Sequence, residues 1–160
     1  MEQLTVQVKK AYHYDDWNRR FDNEKMSYLP AMLKFRRMKN YMLLSSRAPM
    51  NVLGAYETEW VDTTNKNSHF RLTVVPYTTV EEADEQIISR LLYVSVLLPR
   101  IDAGSDTEIV AFGQPESIIV GRIRNVYWCI QNLGIERINL NEIQRELVKS
   151  IKSGRQRILP

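Results

Sequence analysis

The chain has 160 residues, of which 44% are hydrophobic and 26% are charged. These values are normal for a globular protein and exclude a largely disordered or fibrous chain. The single cysteine excludes an internal disulfide and a zinc site built from several thiolates. The length fits one domain of ordinary size, so the sequence is expected to fold as one soluble domain over residues 1–160, with a net charge of +3.

The sequence carries no signal for secretion or membrane insertion. Met1 is followed by polar residues rather than by a basic and then an apolar region, so no signal peptide is expected. The longest apolar-rich run, Ile87 to Leu98, contains Ser89, Arg90 and Ser95 and is too polar to span a membrane. The chain therefore fits the cytoplasm, or a mature exported or organellar form, and its compartment stays open.

Residues 1–54 give the weaker signals and are expected to form a partly helical N-terminal extension. Apolar and polar residues alternate from Leu4 to Val8, which favours an edge strand. The aromatic spacing between Tyr14 and Glu24 fits a short helix. The run from Pro30 to Ser45, dense in Met, Leu and Phe, fits a helix better than a strand.

The next stretch predicts a hairpin and then a long helix. Ala55 to Val61 and His69 to Tyr77 have strand character, and the residues between them are polar and prone to turns. Thr79 and Glu82 form a capping box, in which each side chain binds the other's backbone N–H. Apolar residues then recur at helical spacing up to Pro99, so a helix is predicted over 79–98.

Three strands and a final helix are predicted for the rest of the chain. Glu108 to Gly113, Ser117 to Arg122 and Asn125 to Gln131 carry strand signals, and a tight turn joins the last two. Asn139 can cap a helix whose apolar stripe ends at Ile151. About five strands with mostly short connections predict an α+β fold, with an antiparallel sheet packed against two well-defined helices and a core over 55–154.

Basic residues are segregated from acidic ones. No Asp or Glu occurs from Lys25 to Tyr56, and none follows Glu146. Such a distribution is typical of a surface that meets an anionic partner, although a solvated face beside the acidic segments explains it too. The candidate contacts for an anionic partner are Lys34, Arg36, Arg37, Lys39, Arg47, Lys149, Lys152, Arg155 and Arg157.

Few side chains have the pattern of a catalytic or metal site. His13 near Asp15 and Asp16 lacks a third metal ligand, and it is interpreted as a surface histidine. A pairing of Cys129 with His69 is disfavoured because the thiol lies within an apolar strand.

Glu57 and Glu59 lie on one face of their strand, where two carboxylates can act as acid and base. A cross-strand charge ladder with Arg71 and Thr73 explains them without chemistry.

The sequence therefore favours a non-enzymatic binding or accessory protein, a subunit of a larger assembly or a homo-oligomer. No catalytic residue, cofactor or metal is predicted. The alternative is a basic-patch binder of nucleic acid or another anionic polymer, in which aromatic residues among cations stack on bases. Besides the segment around Lys39, the hairpin with Arg122, Arg124, Tyr127 and Trp128 has that composition.

Overall fold

A computed structural model describes residues 2–11, 38–48, 54–92, 100–102, 107–112 and 117–154. These residues form an α+β fold, which confirms the predicted class. The described elements are α1 (Glu2–Ala11), β1 (Tyr41–Arg47), β2 (Tyr56–Asp62), β3 (His69–Pro76), α2 (Val80–Leu92), β4 (Arg100–Asp102), β5 (Thr107–Phe112), β6 (Ile118–Ile123), β7 (Val126–Asn132) and α3 (Leu140–Gly154).

The described strands form one antiparallel sheet of seven strands in the order β1-β2-β3-β7-β6-β5-β4. Two meanders, β1 to β3 and β4 to β7, meet where β3 pairs with β7. That pairing runs from Phe70 opposite Asn132 to Pro76 opposite Val126. Every strand predicted after residue 54 is present, and β1 and β4 extend the sheet at its two ends.

Helices cover both faces of the central strands. On one face Ile143 and Leu147 of α3 belong to the same buried cluster as Trp128 of β7. On the other face α2 and α1 contribute Ile87 and Val8 to a second cluster. Every residue of β6 and the first five of β7 are buried, which is the pattern expected where an antiparallel sheet has helices on both sides.

Both predicted helix starts are confirmed by their hydrogen bonds. The Glu82 backbone N–H donates to Thr79 Oγ1 at 3.2 Å, and the Thr79 N–H donates to Glu82 Oε2 at 3.2 Å. The Asn141 N–H donates to Asn139 Oδ1 at 3.0 Å, so Asn139 caps α3. Of the helix predicted over 79–98, residues 93–98 lie outside the described part of the chain.

Two predictions for residues 1–54 are wrong. Leu4 to Val8 belong to helix α1 rather than to an edge strand, because Val8 packs against the helical layer while Leu4 remains exposed. Residues 41–45, predicted as helix, lie in strand β1, where pairing with β2 overrides the local preference. Residues 30–37 of the same predicted helix, and the helix predicted between Tyr14 and Glu24, lie outside the described residues.

An ion pair inside the molecule ties α2 to the sheet. Arg122 of β6 donates from Nε to Oδ1 of Asp84 on α2, and both side chains are fully buried. Moving a charge from water into the protein interior is costly, and the attraction between the two side chains offsets part of that cost. Removing one partner therefore destabilises the fold. The pair therefore favours one placement of α2 over this face of the sheet.

Asp84→Ala should lower the free energy of unfolding by about 3–5 kcal/mol, because it removes the carboxylate to which the buried Arg122 guanidinium donates. Urea unfolding followed by circular dichroism measures the change. The double variant Asp84→Leu with Arg122→Met should be more stable than Asp84→Leu alone or Arg122→Met alone. Additive losses in the double variant would contradict this account of the pair.

Candidate functional site

A partly open cleft of about 220 Å³ lies between α2 and the sheet. Its walls come from β2, β3, α2 and β7, so it is assembled from segments far apart in the sequence. The lining residues from β2, β3 and the position just after β3 are Glu57, Arg71, Thr73, Val75 and Tyr77. Helix α2 contributes Gln86 and Arg90, and β7 contributes Tyr127, Cys129 and Gln131. We call this site the Arg90 cleft.

The predicted cross-strand ladder forms one wall of the Arg90 cleft. Arg71 donates to Glu59 Oε1 from Nη2 at 2.7 Å and from Nε at 3.1 Å. Glu57 accepts hydrogen bonds from Arg47 Nε at 2.6 Å and from Thr73 Oγ1 at 3.2 Å. Both carboxylates are thus held by cations or hydroxyl donors, and the hydrogen bond to Glu59 raises the pKa of Arg71.

The floor of the cleft holds two protonated groups. Burial raises the pKa of the Cys129 thiol to about 11, although Arg90 acts in the opposite direction. Burial also raises the pKa of the Tyr127 hydroxyl well above its ordinary value. Both groups are neutral at physiological pH, so the floor offers a phenol and a thiol rather than a nucleophilic thiolate.

Arg90 is the basic residue that α2 contributes to the cleft. Its Nη2 donates to Gln131 Oε1 at 3.3 Å, and its positive charge acts to lower the pKa of the Cys129 thiol. Both of these partners are neutral, in contrast to the carboxylates that hold Arg71 and Arg47. Arg90 therefore keeps a positive charge that no described carboxylate pairs with.

Aromatic rings close one end of the cleft. The rings of Tyr77 and Tyr127 meet edge to face, with their centroids 6.4 Å apart. Asn125 holds the backbone of Tyr77 through two hydrogen bonds. The Asn125 Nδ2 donates to the Tyr77 backbone carbonyl at 2.6 Å, and the Asn125 backbone carbonyl accepts from the Tyr77 N–H at 2.9 Å. The cleft thus combines an apolar wall with a cation.

Strand β1 is a second candidate site, because no described strand pairs with its outer edge. Tyr41 anchors the strand, with its ring 5.1 Å from that of Phe70 in an edge-to-face contact. A bulge shifts the register with β2 between Leu43 and Ser45. The apolar side chains that remain exposed are Met42 (53%), Leu43 (40%) and Leu44 (53%).

The basic residues predicted as contacts are only partly placed. Lys39, Arg47 and Lys149 are exposed, and Arg47 is bound to Glu57 while its side chain remains 68% exposed. Lys152 belongs to α3, but its side chain is outside the described part. The others, Lys34, Arg36, Arg37, Arg155 and Arg157, lie outside the described residues.

The hairpin suggested for base stacking is not on the surface. Arg122, Arg124, Tyr127 and Trp128 are all buried, with the tryptophan in the core cluster under α3. Their side chains therefore cannot stack on nucleic-acid bases without unfolding the sheet. The alternation of apolar residues along β7 already indicated that Trp128 is a core residue.

His69 does not join Cys129 in a catalytic pair. Cys129 lies opposite Thr73, and His69 is four residues farther along β3, roughly 13 Å away at the usual rise per residue. His13 lies outside the described residues. Within the described ranges, no group of three or more His, Cys, Asp or Glu side chains is placed to hold a metal ion.

Sequence reasoning missed the Arg90 cleft. In the sequence, Arg90 interrupts an apolar run and Gln131 ends a predicted strand, and neither position indicates that the two side chains meet. The available signal was the position of Arg90 three residues after Ile87, at the border of the buried face of α2. Finding the cleft also required the pairing of β3 with β7.

Comparison with known proteins gives no relative. No protein-family model matches the chain, and no match is found among curated proteins or solved structures. Among the described helices, none is both long and apolar enough to cross a membrane.

Ionisation of Cys129 should make stability depend on pH. The folded thiol has a pKa of about 11, whereas a thiol in the unfolded chain ionises near pH 8.5, so the folded state retains the proton longer. The free energy of unfolding should therefore fall by about 2–3 kcal/mol between roughly pH 8.5 and 11.

Urea unfolding at a series of pH values measures this fall. In Cys129→Ala the free energy of unfolding should fall less steeply with pH. Tyr127 should account for the fall that remains, because burial raises its pKa too. An identical slope in the variant and the wild-type protein would show that Cys129 is not a buried protonated thiol.

Proposed function

We propose that the protein is a non-enzymatic binding or accessory subunit, and that β1 pairs with an extended, acidic segment of a partner protein. The observation that carries the proposal is the outer edge of β1, which no described strand pairs with. An exposed edge strand offers backbone N–H and C=O groups to an added strand, and partner proteins use such edges by β-augmentation.

The side chains of β1 support binding rather than protection of the edge. Met42, Leu43 and Leu44 are between 40% and 53% exposed and follow one another along the strand. Edge strands that avoid pairing carry lysine, proline, inward-pointing charges or bulges. Strand β1 has a bulge, but it contains neither lysine nor proline, and its single charge is at its end. An added strand would bury these three apolar side chains.

Charge favours an acidic partner over a second copy of the chain. Lys39 is exposed just before β1, and no acidic residue occurs from Lys25 to Tyr56. Arg47 at the other end of β1 pairs with Glu57, but its side chain remains 68% exposed. Antiparallel pairing of two β1 strands would bring Arg47 of each copy near Lys39 of the other, and like charges across strands are destabilising. An extended segment with acidic residues at its ends meets the same positions with opposite charge.

The Arg90 cleft supports a binding role over a catalytic one. Glu57 and Glu59 are engaged by Arg47 and Arg71, so neither carboxylate is placed as a free acid or base. The Cys129 thiol is protonated at neutral pH. The proposal therefore includes no chemical step.

An acidic β-forming peptide tests the proposal without knowledge of the natural partner. The probe is the peptide Ac-EVTVTVE-amide, and the matched control has lysine in place of both glutamates. Titration into ¹⁵N-labelled protein should shift or broaden the β1 amides, and the lysine peptide should bind roughly tenfold more weakly or not at all.

Variants of the protein locate the binding site. Leu44→Glu should weaken binding of the acidic peptide by about tenfold, because it adds like charge to β1. Ile135→Glu is the matched control, since Ile135 is 90% exposed in the loop between β7 and α3 and should not affect binding.

Equal effects of the two substitutions, or equal binding of the two peptides, would contradict the proposal. Dimerisation in light scattering that Leu44→Glu abolishes would assign β1 to a second copy instead. Saturable binding of a single-stranded oligonucleotide, steeply weakened by salt, together with no peptide binding, would favour the anionic-polymer alternative.

A further inference from the structure

We propose that the Arg90 cleft is a binding site for a small monocarboxylate that carries an apolar or aromatic body. This inference concerns the face of the sheet beside α2 and is independent of strand addition at β1. It rests on the cavity, on the charge balance of its walls and on the ring pair at its end.

The charges around the cleft leave one positive charge for a ligand. Arg47 and Arg71 are matched by Glu57 and Glu59, with which they form ion pairs. Arg90 donates to the neutral Gln131 amide, and no ion pair joins it to a carboxylate of the described residues. A ligand with one negative charge would neutralise the site.

The charges around Arg90 favour a carboxylate over a phosphate, although a guanidinium can donate two parallel N–H groups to either anion. Glu57 also lines the cleft, and its negative charge opposes a dianion such as phosphate. The buried floor strengthens the attraction between Arg90 and a bound anion, since charges interact more strongly away from water.

The rest of the lining provides neutral donors and an apolar surface. Burial raises the pKa of both Tyr77 and Tyr127, so their hydroxyls stay protonated and can donate. Gln86 adds an amide from α2. Val75 and the two tyrosine rings form an apolar wall, and a volume of about 220 Å³ is smaller than most drug-sized pockets and suits a ligand with a single ring.

Benzoate is the probe for this site, and benzamide is its neutral counterpart of the same shape. Titration of ¹⁵N-labelled protein should give saturable shifts at the amides of Gln86, Arg90, Cys129 and Gln131. Benzamide should bind at least about tenfold more weakly, because it lacks the charge that Arg90 recognises. Inorganic phosphate at the same ionic strength should also bind more weakly than benzoate.

Two variants assign the binding to Arg90. Arg90→Gln should weaken benzoate binding about tenfold or more, whereas Arg145→Gln on the exposed side of α3 should leave it unchanged. Arg90→Lys keeps the charge but loses the paired N–H groups, so it should weaken binding severalfold even if the glutamine variant does not fold.

Four results would overturn the inference, three of which concern benzoate. They are the absence of saturable shifts in the cleft, equal affinity for benzoate and benzamide, and equal affinity in wild-type and Arg90→Lys protein. Tighter binding of phosphate than of benzoate would also overturn it, since the site would then prefer a dianion. None of these results bears on whether β1 binds a peptide.

Discussion

The pairing of β3 with β7 is the constraint on which the rest of the structure depends. It joins two meanders from opposite halves of the chain, from Phe70 opposite Asn132 to Pro76 opposite Val126. Helices pack on both faces of this centre, where apolar side chains from both strands are fully buried. Because α2 packs against β6 and β7 whereas β1 lies at the end of the sheet, the same arrangement forms a cleft beside the helix and leaves β1 with an outer edge that no described strand pairs with.

Much of the fold could be predicted from local signals with a direct physical cause. The side chains of Thr79, Glu82 and Asn139 bind the first backbone N–H groups of their helices, and they make these bonds in the structure. Strand β1 was missed because its apolar residues do not alternate, so its conformation is set by pairing with β2. Helix α1 was missed because Leu4 to Val8 alternates, although Leu4 and Val8 are also one helical turn apart.

The candidate sites were predicted less well than the fold, because most of their residues lie far apart in the sequence. The ladder of Glu57, Glu59 and Arg71 was predicted because it lies within one hairpin, where strand register follows from a short loop. The neighbourhood of Arg90 and Gln131 depends on the β3–β7 pairing and on the packing of α2, which no local pattern encodes. Charge segregation indicated a basic region around β1, but the exposed strand edge at its centre is a property of the sheet.

The measurement that tests the account most directly is hydrogen exchange of the isolated protein at low concentration, resolved by residue with NMR. The account predicts the slowest exchange in β3 and β7, where amides open only on global unfolding. It predicts much faster exchange for the outward-pointing amides of β1 that follow Tyr41, whose own N–H donates to the Met38 carbonyl. Protection of those β1 amides equal to that of β7 would contradict it. The outer edge would then already be paired, and the strand would not be available to a partner.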